Sequence, residues 1–224
     1  MVITPKDENY EKIRLCLDMR TANTAIQRVR YPIPTLEEAL LNMNNAKRIS
    51  KVDVKEAFHQ LELEFESREL TTFYTPCGLY RYKRLNYGTN CASEIFQSVI
   101  NGLLADIPGV RCIADDIVVF GGTNEEHNVR LELDLQKLAD SELTLNKSKC
   151  EFGLSSAKFM GHVLSEYGVT LSEGKVRAIV DTRTPTNMSE LRSFLGLANY
   201  MSRYIRNFAT ISSPLWHLIK KSAV

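Results

Sequence analysis

Residues 110–120 read Val-Arg-Cys-Ile-Ala-Asp-Asp-Ile-Val-Val-Phe, so that two adjacent carboxylates, Asp115 and Asp116, interrupt a run of apolar side chains. Turn-prone residues between two β-rich runs are typical of a hairpin. A second apolar run, Ile-Ser-Lys-Val-Asp-Val at residues 49–54, carries a further carboxylate, Asp53. We expect the two segments to be strands of one sheet.

Acidic groups on hydrophobic strands indicate that something neutralises them, because an unpaired carboxylate is very costly to bury. We therefore expect Asp53, Asp115 and Asp116 to converge on a hard cation at one end of the sheet. Carboxylate oxygens suit Mg²⁺ or Mn²⁺, and two such ions about 3.5–4 Å apart hold both oxygens of an in-line phosphoryl displacement. For an isolated Asp-Asp pair a surface turn would be the simpler interpretation. With Asp53 on a second apolar strand, the sequence predicts metal-dependent phosphoryl transfer.

The composition sets only wide limits on the class of protein. The chain has 224 residues, enough to bury a core in one domain or two small ones. Its 28 Lys and Arg against 27 Asp and Glu neither require nor exclude a nucleic-acid partner. The five cysteines form no C-x-x-C pair, as expected for a reduced, intracellular protein without structural zinc. Neither a membrane-spanning apolar run nor a signal-peptide pattern is present, so we expect no membrane partner and no targeting signal.

Strand and helix patterns alternate along the chain. Strands are predicted at 13–17, 49–54, 61–65, 110–120 and 158–164, and helices after capping patterns at Thr35 and Asn187, from Ser93 and at 129–138, with a short helical turn at 56–58. This order predicts an α+β fold. After about residue 172 only helix patterns remain, so we expect a division into 1–172 and 173–224.

Several short blocks follow one another in an order that identifies a family. They are Arg-Leu-Cys-Leu-Asp-Met-Arg (14–20), Tyr-Pro-Ile-Pro (31–34), Val-Asp-Val (52–54), Phe-His-Gln (58–60), Thr-Thr-Phe (71–73), Phe-Gln (96–97), Asp-Asp-Ile-Val-Val-Phe (115–120), Leu-Asn-Lys-Ser-Lys-Cys-Glu-Phe (145–152), Phe-Met-Gly-His (159–162) and Ser-Phe-Leu-Gly-Leu (193–197). Together they resemble the reverse transcriptase domain of gypsy-type long-terminal-repeat retrotransposons, over essentially the whole chain. The resemblance implies a right-hand polymerase, with fingers and a palm of antiparallel sheet plus helices at 1–172 and the start of a helical thumb and connection at 173–224.

The resemblance also implies an RNA-directed DNA polymerase, with a catalytic set of residues. Asp53 and Asp115 would bind two Mg²⁺ (or Mn²⁺) ions together with the Val54 carbonyl, and Asp116 would complete the acidic trio. Lys149 aligns with a lysine proposed as the general acid for pyrophosphate. The partners implied are an RNA or DNA template with a primer, and deoxynucleoside triphosphates.

Further residues match positions that hold the substrates in this family. Arg14 would contact the triphosphate, and Arg20 lies at a position near the template and the palm. Phe58 would be an aromatic gate that excludes a 2′-hydroxyl, and Tyr87-Gly88 would cradle the nucleotide. Met160-Gly161 aligns with the primer grip. For Arg14 and Arg20 a solvated strand face is the simpler interpretation of the residue taken alone, and for Phe58 it is core packing.

The chain departs from the family pattern at three positions. Ile113 stands where an aromatic usually supports the primer terminus, and Asn86 and Ser93 stand where Pro is common, although Ser93 can act as an N-cap. The first part of the family's fingers has no match at the start of the sequence and no RNase H constellation follows, so we expect a fragment of a polyprotein, or a decayed or partial copy of an element. The usual setting of such elements is cytoplasmic particles.

Two other functions are compatible with parts of the sequence. One is a catalytically inactive nucleic-acid-binding remnant of a retroelement. The other is a two-metal nuclease or cyclase, against which the Arg14 block and the Phe58 gate argue, since neither reaction needs a gate selective for deoxynucleotides.

Overall fold

A four-stranded antiparallel sheet forms the centre of the first of two compact units, Met1–Ser155 and Ser156–Val224. The computed structural model describes residues 2–5, 13–33, 38, 43, 46–113 and 115–221. The strands of the first unit are β1 (Val2–Pro5), β2 (Ile13–Cys16), β3 (Arg48–Asp53), β4 (Phe73–Thr75), β5 (Gly78–Tyr80), β6 (Val110–Ile113), β7 (Asp116–Gly121) and β8 (Glu151–Leu154). Its helices are α1 (Ala22–Ala25), α2 (Ala92–Leu104) and α3 (Asn124–Asp140), with 3₁₀ helices at Ala57–Gln60 and Glu66–Thr71.

The central sheet has the strand order β6-β7-β3-β8, and β1-β2 and β4-β5 form two smaller antiparallel pairs. In the central sheet Ile49 of β3 pairs with Phe120 of β7, and the register continues without a shift to the ends of both strands. Because side chains alternate between the two faces, this register decides which residues reach the core.

Helices α2 and α3 cover the central sheet. In α2, Phe96, Ile100 and Leu104 recur every four residues and are buried on one face. They join a core cluster with Val52 of β3 and Ile117 of β7. Burying a side chain of this size contributes about 1.5–3 kcal/mol, so this cluster holds the sheet and the helices together.

The second unit is a three-stranded antiparallel meander followed by helices. Its strands are β9 (Ser156–Phe159), β10 (His162–Ser165) and β11 (Gly168–Leu171), and its helices are α4 (Glu173–Val180), α5 (Met188–Tyr200) and α6 (Phe208–Lys221), with a 3₁₀ turn at Ser202–Tyr204. None of the described helices has the length and apolar character needed to cross a membrane.

The predicted α+β class is confirmed, and so is the hairpin at the Asp pair, which joins β6 to β7. The predicted cap of α5 is confirmed as well, because the Asn187 side chain accepts a hydrogen bond from Glu190 N at 2.9 Å. From Glu173 onward the regular elements of the described chain are all helices, although the compact units divide earlier, at Ser156. The assignment of these regions to palm and thumb stays a prediction.

Three local predictions were wrong. Residues 61–65 form no strand, because their pairing with residues 83–85 stops where a 3₁₀ helix begins after Phe65. Residues 158–164 are two strands, separated by a turn at residues 160–161. Ser93 is not an N-cap, since α2 begins at Ala92 and Cys91 takes the cap position. The capping pattern at Thr35 lies outside the described residues.

One buried carboxylate stands apart from the acidic residues of the sheet. Asp134 of α3 is completely buried, and neither of its oxygens has a hydrogen-bond partner among the described residues. Burial raises the pKa of Asp134 to about 7. The native protein therefore holds this proton at pH values where the unfolded chain has lost it.

We expect the buried Asp134 carboxyl to lower the free energy of unfolding as pH rises, and Asp134→Leu to remove this loss of stability. Because the native state binds the extra proton, the free energy of unfolding falls as pH rises from about 4 to about 7, and the whole penalty, a few kcal/mol, is present above that. Urea unfolding between pH 4 and 8 should show the variant gaining stability over the wild type as pH rises. Asp140→Leu, at an exposed position of the same helix, is the control; parallel pH curves for Asp134→Leu and wild type would contradict the prediction.

Candidate active site

Two carboxylates face each other across the central sheet. The register of β3 and β7 pairs Asp53 directly with Asp116, and Asp115 precedes Asp116 in the turn after β6, where it is exposed. Directly opposed residues in an antiparallel pair have Cβ atoms about 4.5–5.5 Å apart. The structure therefore brings the three predicted acidic residues to one end of the sheet.

An ammonium group lies against each of the two paired carboxylates. Lys51 Nζ is 3.3 Å from Asp116 Oδ1, and Lys149 Nζ donates to Asp53 Oδ2 at 3.3 Å. Sequence reasoning missed Lys51, although a residue two positions before Asp53 in a strand shares its face. Lys149 was predicted, and it reaches the site from 96 residues away.

The three carboxylates form a site that favours additional positive charge. Burial raises the pKa of Asp116, Lys51 opposes the rise, and the negative charges of Asp115 and Asp53 add to it. Hard carboxylate oxygens in this number are a donor set that suits Mg²⁺ or Mn²⁺. Within the described part of the chain, no three acidic, His or Cys side chains are gathered closely enough to hold a metal ion as they stand. The two lysines supply the counter-charge in this structure.

The loop before β8 places Lys149 by main-chain contacts with the end of β3. Asn146 N donates to the Asp53 carbonyl at 2.9 Å, and Val54 pairs with Leu145 in an antiparallel bridge. The Val54 side chain is buried. This backbone pairing brings the loop that carries Lys149 beside Asp53.

A buried polar network ties β8 itself to the sheet. Gly153 N donates to Ser50 Oγ at 3.0 Å, and Ser50 Oγ lies 2.8 Å from His127 Nε2. Ser50 and His127 are almost completely buried, so β3 and α3 are joined away from solvent, and the bond from Gly153 adds β8 to this contact. Sequence reasoning did not find these two residues, because nothing local marks a Ser and a His that meet across 77 positions.

Phe58 is held between two other aromatic rings in the 3₁₀ helix that follows β3. Its ring centroid lies 5.0 Å from that of Tyr87 and 5.9 Å from that of Phe96. Aromatic pairs at such separations contribute about 0.5–1.5 kcal/mol beyond their burial. Phe58 as a whole residue is half-buried.

The loop with Tyr87 and Gly88 is fastened to the segment after β2. The Asn23 side chain donates to the Gly88 carbonyl at 2.9 Å and accepts from Asn90 N at 3.0 Å. Gly88 has a φ of 102°, and a Cβ there would be 2.9 Å from the Leu17 carbonyl oxygen. Both the backbone conformation and the lack of space require glycine at this position.

Four other residues were predicted to hold the substrates: Arg14, Arg20, Met160 and Gly161. The guanidinium of Arg20 makes hydrogen bonds to Asp18, the shortest of 2.6 Å, and these bonds lower the pKa of the exposed Asp18 carboxyl to about 2. Arg14 lies in β2. Met160 and Gly161 form the turn between β9 and β10 in the second unit. The roles of these four residues stay predictions.

The chain matches the sequence model of the family described as reverse transcriptase (RNA-dependent DNA polymerase) over residues 4–197, and it belongs to that family. Proteins of this family are in general metal-dependent, which agrees with the carboxylate donor set. The predicted resemblance to a reverse transcriptase is thereby confirmed.

Among curated proteins the chain is similar to polyproteins of retrotransposons. It is 35% identical over 219 residues to the retrovirus-related Pol polyprotein from transposon 297 of Drosophila melanogaster, which covers 97% of this chain and 21% of that protein. It is 31% identical over 223 residues to the transposon Tf2-3 polyprotein of Schizosaccharomyces pombe, with 99% and 17% covered. The chain thus spans about a fifth of the length of these relatives.

Solved structures of foamy viral protease-reverse transcriptase share the fold. A complex with double-stranded DNA matches with a TM-score of 0.88 and 26% identity, covering 98% of this chain and 38% of the other. A complex with an RNA/DNA hybrid matches with a TM-score of 0.80 and 25% identity, covering 98% and 29%. These likenesses confirm the polymerase fold that the sequence predicts.

The positive φ of Gly88 and the lack of space around it predict the effect of a substitution on stability. Gly88→Ala should lower the free energy of unfolding by about 1–3 kcal/mol, because it forces a left-handed residue and a close contact with the Leu17 carbonyl. Gly102→Ala is the matched control: this glycine lies inside α2 with open space around it, so alanine there should stabilise by up to about 1 kcal/mol. Thermal or urea unfolding measures both, and equal effects of the two variants would contradict the explanation.

Proposed function

We propose that this chain is the polymerase module of an RNA-directed DNA polymerase, which adds deoxynucleotides to a primer 3′-hydroxyl. The observation that carries the proposal is the meeting of Asp53, Asp115 and Asp116 at one end of the β3–β7 pair, in a member of the reverse transcriptase family. Family membership alone would not assign an activity to this chain. The acidic trio supplies the chemistry that the reaction needs.

The acidic residues would act as ligands. Asp53 and Asp115, with the Val54 carbonyl and the support of Asp116, would hold two Mg²⁺ or Mn²⁺ ions. Such ions lower the pKa of the attacking hydroxyl and offset the charge of the leaving pyrophosphate. Burial is the main cause of the raised pKa of Asp116, and the negative charges of Asp115 and Asp53 raise it further. That like-charge contribution supports the assignment, because a bound cation would relieve the same repulsion.

Lys149 would serve as the general acid for the pyrophosphate. Its side chain is 65% exposed while its Nζ donates to Asp53, so the ammonium group can leave the carboxylate without breaking buried packing. A cation bound by Asp53 would compete with Lys149 for the same carboxylate. Cation binding would therefore free the proton donor to reach the pyrophosphate oxygen.

The fixed ring of Phe58 supports its proposed role as the gate for the sugar. The contacts with Tyr87 and Phe96 oppose movement of the Phe58 ring away from a 2′-hydroxyl, so ribonucleotides would be excluded by contact rather than by a lost hydrogen bond. Tyr87 and Gly88 would form the adjoining wall of the nucleotide site. Arg14 and Arg20 would contact the triphosphate and the template, which for Arg20 requires release from Asp18.

The charge of the chain supports a template–primer duplex as the partner. Residues 156–224 contain nine Lys and Arg against four Asp and Glu, a net charge of +5, whereas residues 1–155 carry a net charge of −4. Positive charge gathered in one unit attracts the phosphates of a duplex without reading its sequence. The Met160–Gly161 turn would contact the primer strand as its grip. Reverse transcription in cytoplasmic particles is the setting that we propose.

A second candidate, an inactive nucleic-acid-binding remnant, is favoured by one observation. Lys51 and Lys149 already balance Asp116 and Asp53, so the paired carboxylates are neutralised without a metal ion. If these contacts persist in the presence of Mg²⁺, the protein binds a hybrid duplex through its basic unit but does not extend the primer.

Primer extension on a poly(rA) template with an oligo(dT) primer tests the polymerase proposal. We expect extension by the wild type in Mg²⁺ or Mn²⁺, and its loss, by at least about a hundredfold, in Asp115→Asn. The matched control is Asp140→Asn, which makes the same exchange at an exposed position of α3 and should extend normally. A well-folded wild type that binds the hybrid without extending it would favour the remnant.

Replacement of Phe58 tests the gate. Phe58→Ala should raise incorporation of ribonucleotides relative to deoxynucleotides by at least about tenfold, because the space for a 2′-hydroxyl is opened. Phe65→Ala, at an exposed position, should leave this ratio unchanged. The ratio of kcat/KM for a matched pair of nucleotides measures the effect, and an unchanged ratio in an active Phe58→Ala protein would refute the role.

A further inference from the structure

The turn between β9 and β10 is left-handed at both of its central residues. Met160 has a φ of 46° and Gly161 a φ of 75°, while Phe159 and His162 pair across the turn. Two positive φ values give the tight turn that suits the twist of a hairpin. For Met160 this conformation costs energy that a glycine would not incur, so contacts around the turn must hold it in place.

One lysine makes those contacts from the first turn of α4. Lys175 Nζ donates to the Met160 carbonyl at 3.0 Å and to the Tyr200 hydroxyl at 3.2 Å. The same ammonium lies 4.8 Å from the centroid of the Tyr200 ring, and Tyr200 is the last residue of α5. The turn is thereby joined to two helices through one charged group.

The stem of Lys175 also packs on the turn. A Cβ added to Gly161 would lie 2.2 Å from Lys175 Cε and 2.8 Å from its Nζ. Glycine at this position leaves the space that the lysine fills. The buried His162 adds a contact to the same oxygen, with its Nδ1 3.1 Å from the Met160 carbonyl.

We propose that Lys175 and Tyr200 are positioning residues, which hold the Met160–Gly161 turn in the conformation that contacts the primer strand. This rests on the proposed function, in which the turn is the primer grip. Lysine suits the task because an ammonium group has three donors and can bond a carbonyl and a hydroxyl at once. A displaced turn would misplace the primer 3′-hydroxyl relative to the incoming nucleotide, which lowers kcat more than it weakens binding of the duplex.

The experiment compares Lys175→Met with a matched variant of the same hairpin. Lys158→Met removes one exposed positive charge from β9 without touching the turn. We expect Lys175→Met to lower the rate of single-nucleotide extension by about tenfold to a hundredfold, with a Kd for the hybrid duplex equal to that of Lys158→Met at each salt concentration. Lys175→Arg, which keeps the charge and several donors, should restore part of the rate. Equal rates in Lys175→Met and Lys158→Met would overturn the proposal.

Tyr200 is tested in the same way. Tyr200→Phe keeps the ring and removes only the hydroxyl, so a several-fold loss of rate is expected, and its effect should not add to that of Lys175→Met, because both act through one contact. Tyr167→Phe, on a fully exposed side chain, is the control. Additive effects of the two substitutions would count against a shared role.

Hydrogen exchange in the free protein separates this proposal from the function on which it rests. The peptide that contains residues 159–162 should exchange faster in Lys175→Met than in Lys158→Met, with circular dichroism spectra that match the wild type. If the wild type extends no primer, the proposed function fails, and faster exchange still supports the positioning of the turn. Unchanged exchange would overturn the positioning role whether or not the enzyme is active.

Discussion

The register between β3 and β7 is the constraint on which the candidate site depends. It sets Asp53 opposite Asp116 and, at the same time, directs Val52 and Ile117 into the core. A slip by one residue would reverse the faces of the whole strand, so the acidic and apolar positions can only be correct together. The packing of α2 and α3 on the sheet therefore fixes the positions of Asp53, Asp115 and Asp116, although none of these three residues lies in either helix.

The balance between carboxylate and ammonium charges at the end of the sheet is a second constraint on the site. Carboxylates brought close together repel one another, and the two lysines offset this repulsion at a distance of 3.3 Å for each pair. Such pairs at a partly exposed site are weak and exchangeable. The site is thus neutral enough to fold, and its weak ion pairs would yield to a competing cation, as the proposed function requires.

The parts of the fold that could be predicted are those with a local signal. The apolar runs around Asp53 and around the Asp pair predict their strands, and the pattern at Asn187 predicts the start of α5. The wrong predictions arise where distant contacts or a tight turn override local alternation, as at 61–65 and 158–164. The same limit applies to the site: its acidic residues stand out in the sequence, whereas the network of Ser50 and His127 depends on pairings between remote segments.

The position of β3 in the sheet has a consequence for the growing chain. β3 is synthesised long before its neighbours β7 and β8, yet it lies between them. At a translation rate of about 5–20 residues per second, the edge that pairs with β7 stays unpaired for roughly 3–14 s, and the edge that pairs with β8 for roughly 5–20 s. An apolar strand with two open edges is a template for mispairing with other chains. Aggregation is thus a hazard of the nascent chain more than of the finished domain, and chaperones that bind emerging strands, together with the pace of the ribosome between β3 and β8, would govern the yield of folded protein.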